Sequence, residues 1–169
     1  MTTATEKMLV RRLRYLWTWE LFDSFFLPAV AVFTARIVQK PLGVASVCAM
    51  LLVAWLLWQG AAYWWLKLRA IRTHSDIAPR HLGWFSVFKK ANWILIGLLP
   101  LFVLARLLSG AAFSSGLDVI VSLVFYSLAV LEQVNYYHYQ LMYDTAADWQ
   151  YLKTHKKLKP SKLSQALEK

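Results

Sequence analysis

VASVCAMLLVAWLLWQGAAYWWL, residues 44–66, runs for 23 positions without one charged side chain. As a helix rising 1.5 Å per residue it reaches about 35 Å, enough to cross a hydrocarbon core about 30 Å thick. Three neighbouring runs, 16–38, 91–108 and 117–139, have the same apolar character and adequate length. The connections contain turn-forming residues: 39–43 is short and holds Pro41 and Gly43, the middle loop holds the polar stretch 73–81 with Pro79, and 109–116 is built of small, uncharged residues apart from Phe113. Short connections make consecutive helices antiparallel neighbours. The expected fold is therefore an all-α integral membrane protein, an antiparallel four-helix transmembrane bundle. Residues 1–15 form a basic lead-in, 16–143 the spanning domain, and 144–169 a basic helical tail.

Composition agrees with that reading. Of 169 residues, 59% are hydrophobic and 17% charged, against about 45–50% and about 25% in soluble domains. These values exclude a disordered tail, a disulfide scaffold and an ordinary soluble enzyme. The lone Cys48 lies inside the second run and has no partner for an internal disulfide.

Charge placement orients the chain. Lys and Arg number four before the first span, two around the first connection, six around the second, one near the third and six in the tail, so alternating segments hold 16 and 3. The positive-inside rule then puts both termini and the middle connection in the cytoplasm, with the protein in a plasma or inner membrane. A basic N-terminus before an apolar run is also the pattern of a signal peptide, but Glu20 and Asp23 at the head of the run argue against it. Arg11, Arg12 and Arg14, with Lys156, Lys157 and Lys159 of the tail, are expected to contact anionic lipid headgroups. A protein partner or a second copy of the chain is the alternative use of this charge. Nucleic acid is disfavoured, because no recognition motif accompanies it.

The segment 82–90 reads as an interfacial half-turn before the third span. Residues 144–159 contain no helix breaker before Pro160, which predicts that the fourth helix continues about two or three turns past the membrane. Arg106 and Asp118, at facing ends of the third and fourth spans, are expected to pair.

One polar layer stands out. Ionisable side chains within spans are costly and are functional candidates by default. Glu20 and Asp23, three residues apart, share one helix face. Together with Gln59, Glu132 and Asn135 they fall at one depth on three helices, about 6–10 Å from the cytoplasmic ends at 1.5 Å per residue, with His138 nearer the surface. Tyr136 and Tyr139 fall on the same side of the fourth helix. Pro28 is expected to free the Ser24 carbonyl as one more acceptor. This layer suggests a non-enzymatic accessory or scaffold subunit, or a binder of lipid or cofactor in the cytoplasmic half of the membrane. The competing reading is a metal-dependent membrane enzyme or carrier using Glu20, Asp23, Glu132 and His138. A ferritin-like di-metal site wants Glu-x-x-His pairs, which this chain lacks. No phosphate loop, nucleophile elbow or second membrane-depth histidine for haem occurs, so the sequence names no cofactor.

Overall fold

The computed structural model describes residues 4–110, 113–143 and 146–168. Among them the chain forms six helices: α1 (Ala4–Val38), α2 (Val44–Arg72), α3 (Pro79–Leu108), α4 (Gly116–Tyr137), α5 (Ala146–His155) and α6 (Lys162–Leu167). No β-strand forms among the described residues, and one isolated bridge pairs Tyr139 with Pro160. Helices α1 to α4 are each long and apolar enough to cross a membrane.

The helix ends follow from local chemistry. Pro79 starts α3, where its missing N–H costs nothing. Gly110, in the left-handed region at φ 76°, closes that helix by donating its N–H to the Leu107 carbonyl. Ser115 caps α4 by accepting the Asp118 N–H at 3.1 Å, and Ser161 caps α6 by accepting the Ser164 N–H at 3.0 Å.

Three helices extend beyond the predicted spans, α2 among them, running to Arg72 instead of ending at 66. The lead-in is continuous with α1 from Ala4, and 82–90 is not a separate interfacial turn but part of one helix from Pro79 to Leu108. Nothing between Pro79 and Pro100 breaks it, since Gly83 is tolerated in a helix at modest cost.

Helix α2 is the centre of the packing, lying mainly against α1 and α4, with α3 more loosely attached. In lipid no hydrophobic force drives helices together, so close packing and polar bonds must do so. Small buried residues Ala45, Ser46, Ala49 and Gly60 line α2, and Ala49, Val53 and Leu56 pack with Ile96, Phe125 and Ala129. Only Phe85, Asn92 and Ile96 of α3 are buried.

The predicted continuation of α4 into the tail is overturned. The helix stops at Tyr137, six residues run without helix to Tyr143, and α5 begins at Ala146. Asp144, Thr145 and Lys169 of the tail lie outside the described residues, as do the first three residues of the lead-in. The stop needs no breaker because side chains replace the helical partners. Asn135 Oδ1 accepts the Leu141 N–H at 2.9 Å, and the Ser161 hydroxyl donates to the Tyr136 carbonyl. The Gln140 N–H reaches the Lys159 carbonyl at 2.8 Å, and the Ser161 N–H reaches the His138 carbonyl at 3.0 Å. Residues 159–163 thereby fold back onto the end of α4, and Leu163 joins Tyr63, Phe85, Tyr136 and Tyr137 in a second apolar cluster.

The Arg106–Asp118 pair does not form among the described residues. Asp118 is fully buried and its carboxylate is taken by the Ser46 hydroxyl and by the Ser114 N–H at 2.8 Å. Among the described residues Arg106 Nε has no hydrogen-bond partner.

Candidate functional site

The sequence-derived polar layer resolves into separate groups. The first joins three helices at Glu20 of α1. Trp64 of α2 donates its indole N–H to Glu20 Oε1 at 3.0 Å, and the Tyr136 hydroxyl of α4 donates to Oε2. Glu132 accepts from Asn135 Nδ2 at 3.4 Å and lies within reach of the Tyr136 hydroxyl. Asp23 is partly exposed, within electrostatic range of both Glu20 and Glu132. Gly60, one turn before Trp64, permits this approach, because a Cβ there would strike the Glu20 carboxylate and the Tyr136 ring. Gly60→Ala is therefore expected to displace the Glu20–Tyr136 bond and to destabilise the protein by about 1–3 kcal/mol, the usual range for overpacking. Reversible unfolding in mixed micelles measures it, and an unchanged midpoint would refute the close approach.

The second group is an amide network. Asn92 of α3 donates to Gln59 Oε1 and Gln133 Oε1, both at 2.9 Å, and accepts from Gln59 Nε2 and Trp55 Nε1, both at 3.1 Å. Gln133 Nε2 donates to the Lys89 carbonyl at 3.0 Å, and the Tyr137 hydroxyl donates to Gln59 Oε1. Gln59 thus belongs with neutral amides and not with the acids. Asn92 and Gln133 were not foreseen as polar anchors. The available signal was an uncharged amide within each of three apolar runs, Gln59, Asn92 and Gln133, the last beside a second amide, Asn135, and a search weighted toward ionisable groups passes over Asn92 and Gln133.

His138 and Tyr139 leave the layer. His138 follows the last turn of α4, and its Nε2 accepts the Trp93 indole N–H of α3 at 3.2 Å. Tyr139 is about half exposed in the connector. Ser24 uses its hydroxyl, donating to the Leu21 carbonyl at 2.7 Å and accepting from Trp58 Nε1 at 3.0 Å. No three His, Cys, Asp or Glu side chains among the described residues are placed to hold a metal ion. Glu20, Asp23, Glu132 and His138 do not share a centre, because the histidine ring is engaged on the α3 side.

Above the Glu20 floor opens a cavity of about 340 Å³. Leu9, Leu13 and Leu16 of α1 form one apolar wall, Tyr63 and Trp64 of α2 a second, and Leu163 of the returning tail a third. The tail is fixed there by the Tyr63 hydroxyl, which donates to the Lys162 carbonyl at 3.0 Å. Arg12, Lys67, Lys159 and Lys162 also line the cavity, with Glu20 and Asp148 as its acids. Among the cations foreseen at headgroups, Arg11, Arg12, Arg14, Lys156 and Lys157 are exposed. Lys159 is half-buried and pairs with Asp148 at 3.2 Å. It acts as a latch between α5 and the returning chain.

Comparison with family models, with curated proteins and with solved structures returned no match. Fold and cavity together define a class: a helical protein with four helices of membrane-crossing length and, among its cavities, a pocket that combines apolar side chains with cations.

Proposed function

We propose that this chain is a non-enzymatic, four-span membrane protein that holds an amphiphilic ligand at the cytoplasmic boundary of a plasma or inner membrane. The observation that carries the reading is the cavity above Glu20, walled on one side by the returning tail, with apolar side chains and cations around it. A volume of about 340 Å³ falls within the range of about 300–1,000 Å³ typical of ligand pockets. The 16-to-3 division of Lys and Arg supports placing both termini, and with them the pocket, on the cytoplasmic side. The bonds Trp64–Glu20 and Trp58–Ser24 support antiparallel packing of α1 and α2, since the earlier residue of one meets the later residue of the other. A binding role fits the acids better than a catalytic one, because both Glu20 oxygens are occupied by Trp64 and Tyr136.

Two measurements test the proposal. In a Cys48→Ala background, cysteines at Lys40 and Ser114 are expected to react with an impermeant reagent from outside, and cysteines at Ser75 and Lys157 only after permeabilisation. External reaction at Ser75 overturns the orientation. Protein extracted in mild detergent is expected to carry close to one amphiphile per chain by native mass spectrometry. Leu13→Trp, which fills the cavity from α1, is expected to remove it. An unaltered ligand content in Leu13→Trp overturns the pocket, and stoichiometric metal lost on Glu132→Ala would replace this reading with the metal-dependent one.

A further inference from the structure

We infer that the crevice between α2 and the second half of α3 is a site for an anionic phospholipid, with one acyl chain in the crevice and the phosphate on Arg106. The two helices part after the amide network. Trp55 of α2 donates its indole N–H to Asn92 Oδ1 at 3.1 Å and lies edge-on to Phe88 at 5.4 Å. Beyond Ile96 no side chain of α3 is buried. The gap that opens there has a volume of about 380 Å³ and is lined by Cys48, Leu52 and Trp55 of α2 and by Leu95, Leu99 and Phe102 of α3. That volume lies within the range of ligand pockets, about 300–1,000 Å³. Taking α2 and α3 as antiparallel, the Trp55–Asn92 bond closes the crevice near mid-membrane, and Cys48 and Phe102 stand at its open end.

Arg106 supplies the head contact. Leu95, Leu99, Phe102 and Arg106 follow one another at spacings of three and four and share one face of α3. Every other residue from 104 to 110 is exposed, whereas Arg106 is half-buried, so its side chain lies against the protein. Its Nε is buried without a hydrogen-bond partner among the described residues. Asp118, the acid in the first turn of α4, is taken by Ser46 and Ser114. A charged side chain at the edge of a hydrocarbon core is costly unless it is matched, and the planar guanidinium fits two phosphate oxygens at once. The eleven-residue rise from Leu95 to Arg106 is roughly 16 Å, close to the depth of one leaflet, half of a core about 30 Å thick. A chain in the crevice thus brings its own phosphate to Arg106. A zwitterionic head would set a second cation beside the guanidinium, so a net-anionic head is the better match. The orientation proposed above makes this the outer leaflet, but the crevice depends neither on that orientation nor on the cavity above Glu20.

Leu51, Leu95 and Leu98 at the rim are exposed, so the crevice opens sideways to the bilayer and its lipid exchanges on extraction. Occupancy is therefore read in place, by photocross-linking to the full chain in phosphatidylcholine nanodiscs. Phosphatidylglycerol and diacylglycerol, each with a diazirine in the acyl chain, are the two probes. Phosphatidylglycerol is expected to label segments 48–55 and 95–102 about 10-fold more than diacylglycerol does, the scale of one charge-assisted hydrogen bond. Arg106→Gln is expected to lower it to the diacylglycerol level, and Arg106→Lys to retain most of the preference. Arg36→Gln, which removes an exposed arginine in the last turn of α1, is the control and is expected to label as the parent does. Circular dichroism of each variant confirms that the fold is retained. Equal labelling of the parent by the two probes would overturn the phosphate contact. Labelling spread evenly over the exposed faces of α1 and α3 would overturn the crevice. Unchanged labelling in Arg106→Gln, or an equal loss in Arg36→Gln, would overturn Arg106 as the head contact.

Discussion

Asp118→Ala is expected to lower the unfolding free energy by about 3 kcal/mol, the result of removing a buried charge that holds two helix starts together. Asp118 is 0% exposed. Its carboxylate accepts from the Ser46 hydroxyl and from the Ser114 N–H at 2.8 Å, and backbone N–H groups of Gly43 and Ser46 lie within its reach. Gly43 precedes α2 and Ser46 sits in its first turn. A side chain of α4 thus caps α2, while Ser115 caps α4 itself. Gly43 has no side-chain cap of its own, so the donors at the start of α2 depend on this carboxylate. Single bonds to a charged group contribute about 1.5–3 kcal/mol and a lost cap about 1, and these overlap rather than add. Asp118→Asn keeps the shape and one carbonyl acceptor, and should lose about half as much by the same reasoning. Reversible unfolding in mixed micelles reads both changes. A loss below about 0.5 kcal/mol for the alanine variant, the scale of an inconsequential surface change, would show that the cap is not holding α2 to α4.

The contrast between this pin and the pairing expected for Arg106 and Asp118 shows what a linear sequence conveys. Length and apolarity of the run 44–66 depend only on local composition, and so the four long helices could be read directly. The end of α3 at Gly110 falls within the small-residue connection 109–116, whereas its start at Pro79 is missed when 82–90 is taken as a separate interfacial half-turn. Asp118 was visible as a charge, but its partner is a serine 72 positions earlier, and charge alone pointed to Arg106. The tail makes the same point. No residue between Asp144 and Lys159 breaks a helix, yet α4 ends because Asn135, Ser161 and the Lys159 carbonyl offer alternative bonds to its last turns. Those partners are assembled by the fold and carry no local signature. Within the polar layer, Glu20, Asp23 and Glu132 could be grouped by depth and helix face, whereas the cavity above them could not. Its third wall, Leu163, comes from beyond Pro160, in a tail whose sequence shows only basic charge and helical character and no sign of a return to the bundle.

Asn92→Leu is expected to cost about 3 kcal/mol, and the triple replacement of Gln59, Asn92 and Gln133 by leucine less than that single change. The Asn92 amide is completely satisfied: both Nδ2 hydrogens are donated, to Gln59 and Gln133, and Oδ1 accepts from Gln59 and Trp55. Leucine has a similar volume and fills the site, so the loss reports the bonds and not a cavity. It leaves Gln59 Nε2, the Trp55 indole N–H and Gln133 Oε1 facing an apolar side chain in a region where no water competes to pair with them. Individual interhelical bonds in membranes average about 0.6 kcal/mol and reach about 1.7, which sets the scale for four lost together. Helix α3 depends on this residue more than its neighbours do, because its only other buried side chains are Phe85 and Ile96. Replacing all three amides removes the orphaned groups along with the bonds, and an apolar set of similar volume can be nearly neutral. Some cost remains, since the Lys89 carbonyl and the Tyr137 hydroxyl lose Gln133 and Gln59. Unfolding of the single and triple variants in the same micelles decides the matter. A triple variant at least as unstable as Asn92→Leu would mean that the bonds themselves, and not the avoidance of unpaired amides, fasten α3 to α2 and α4.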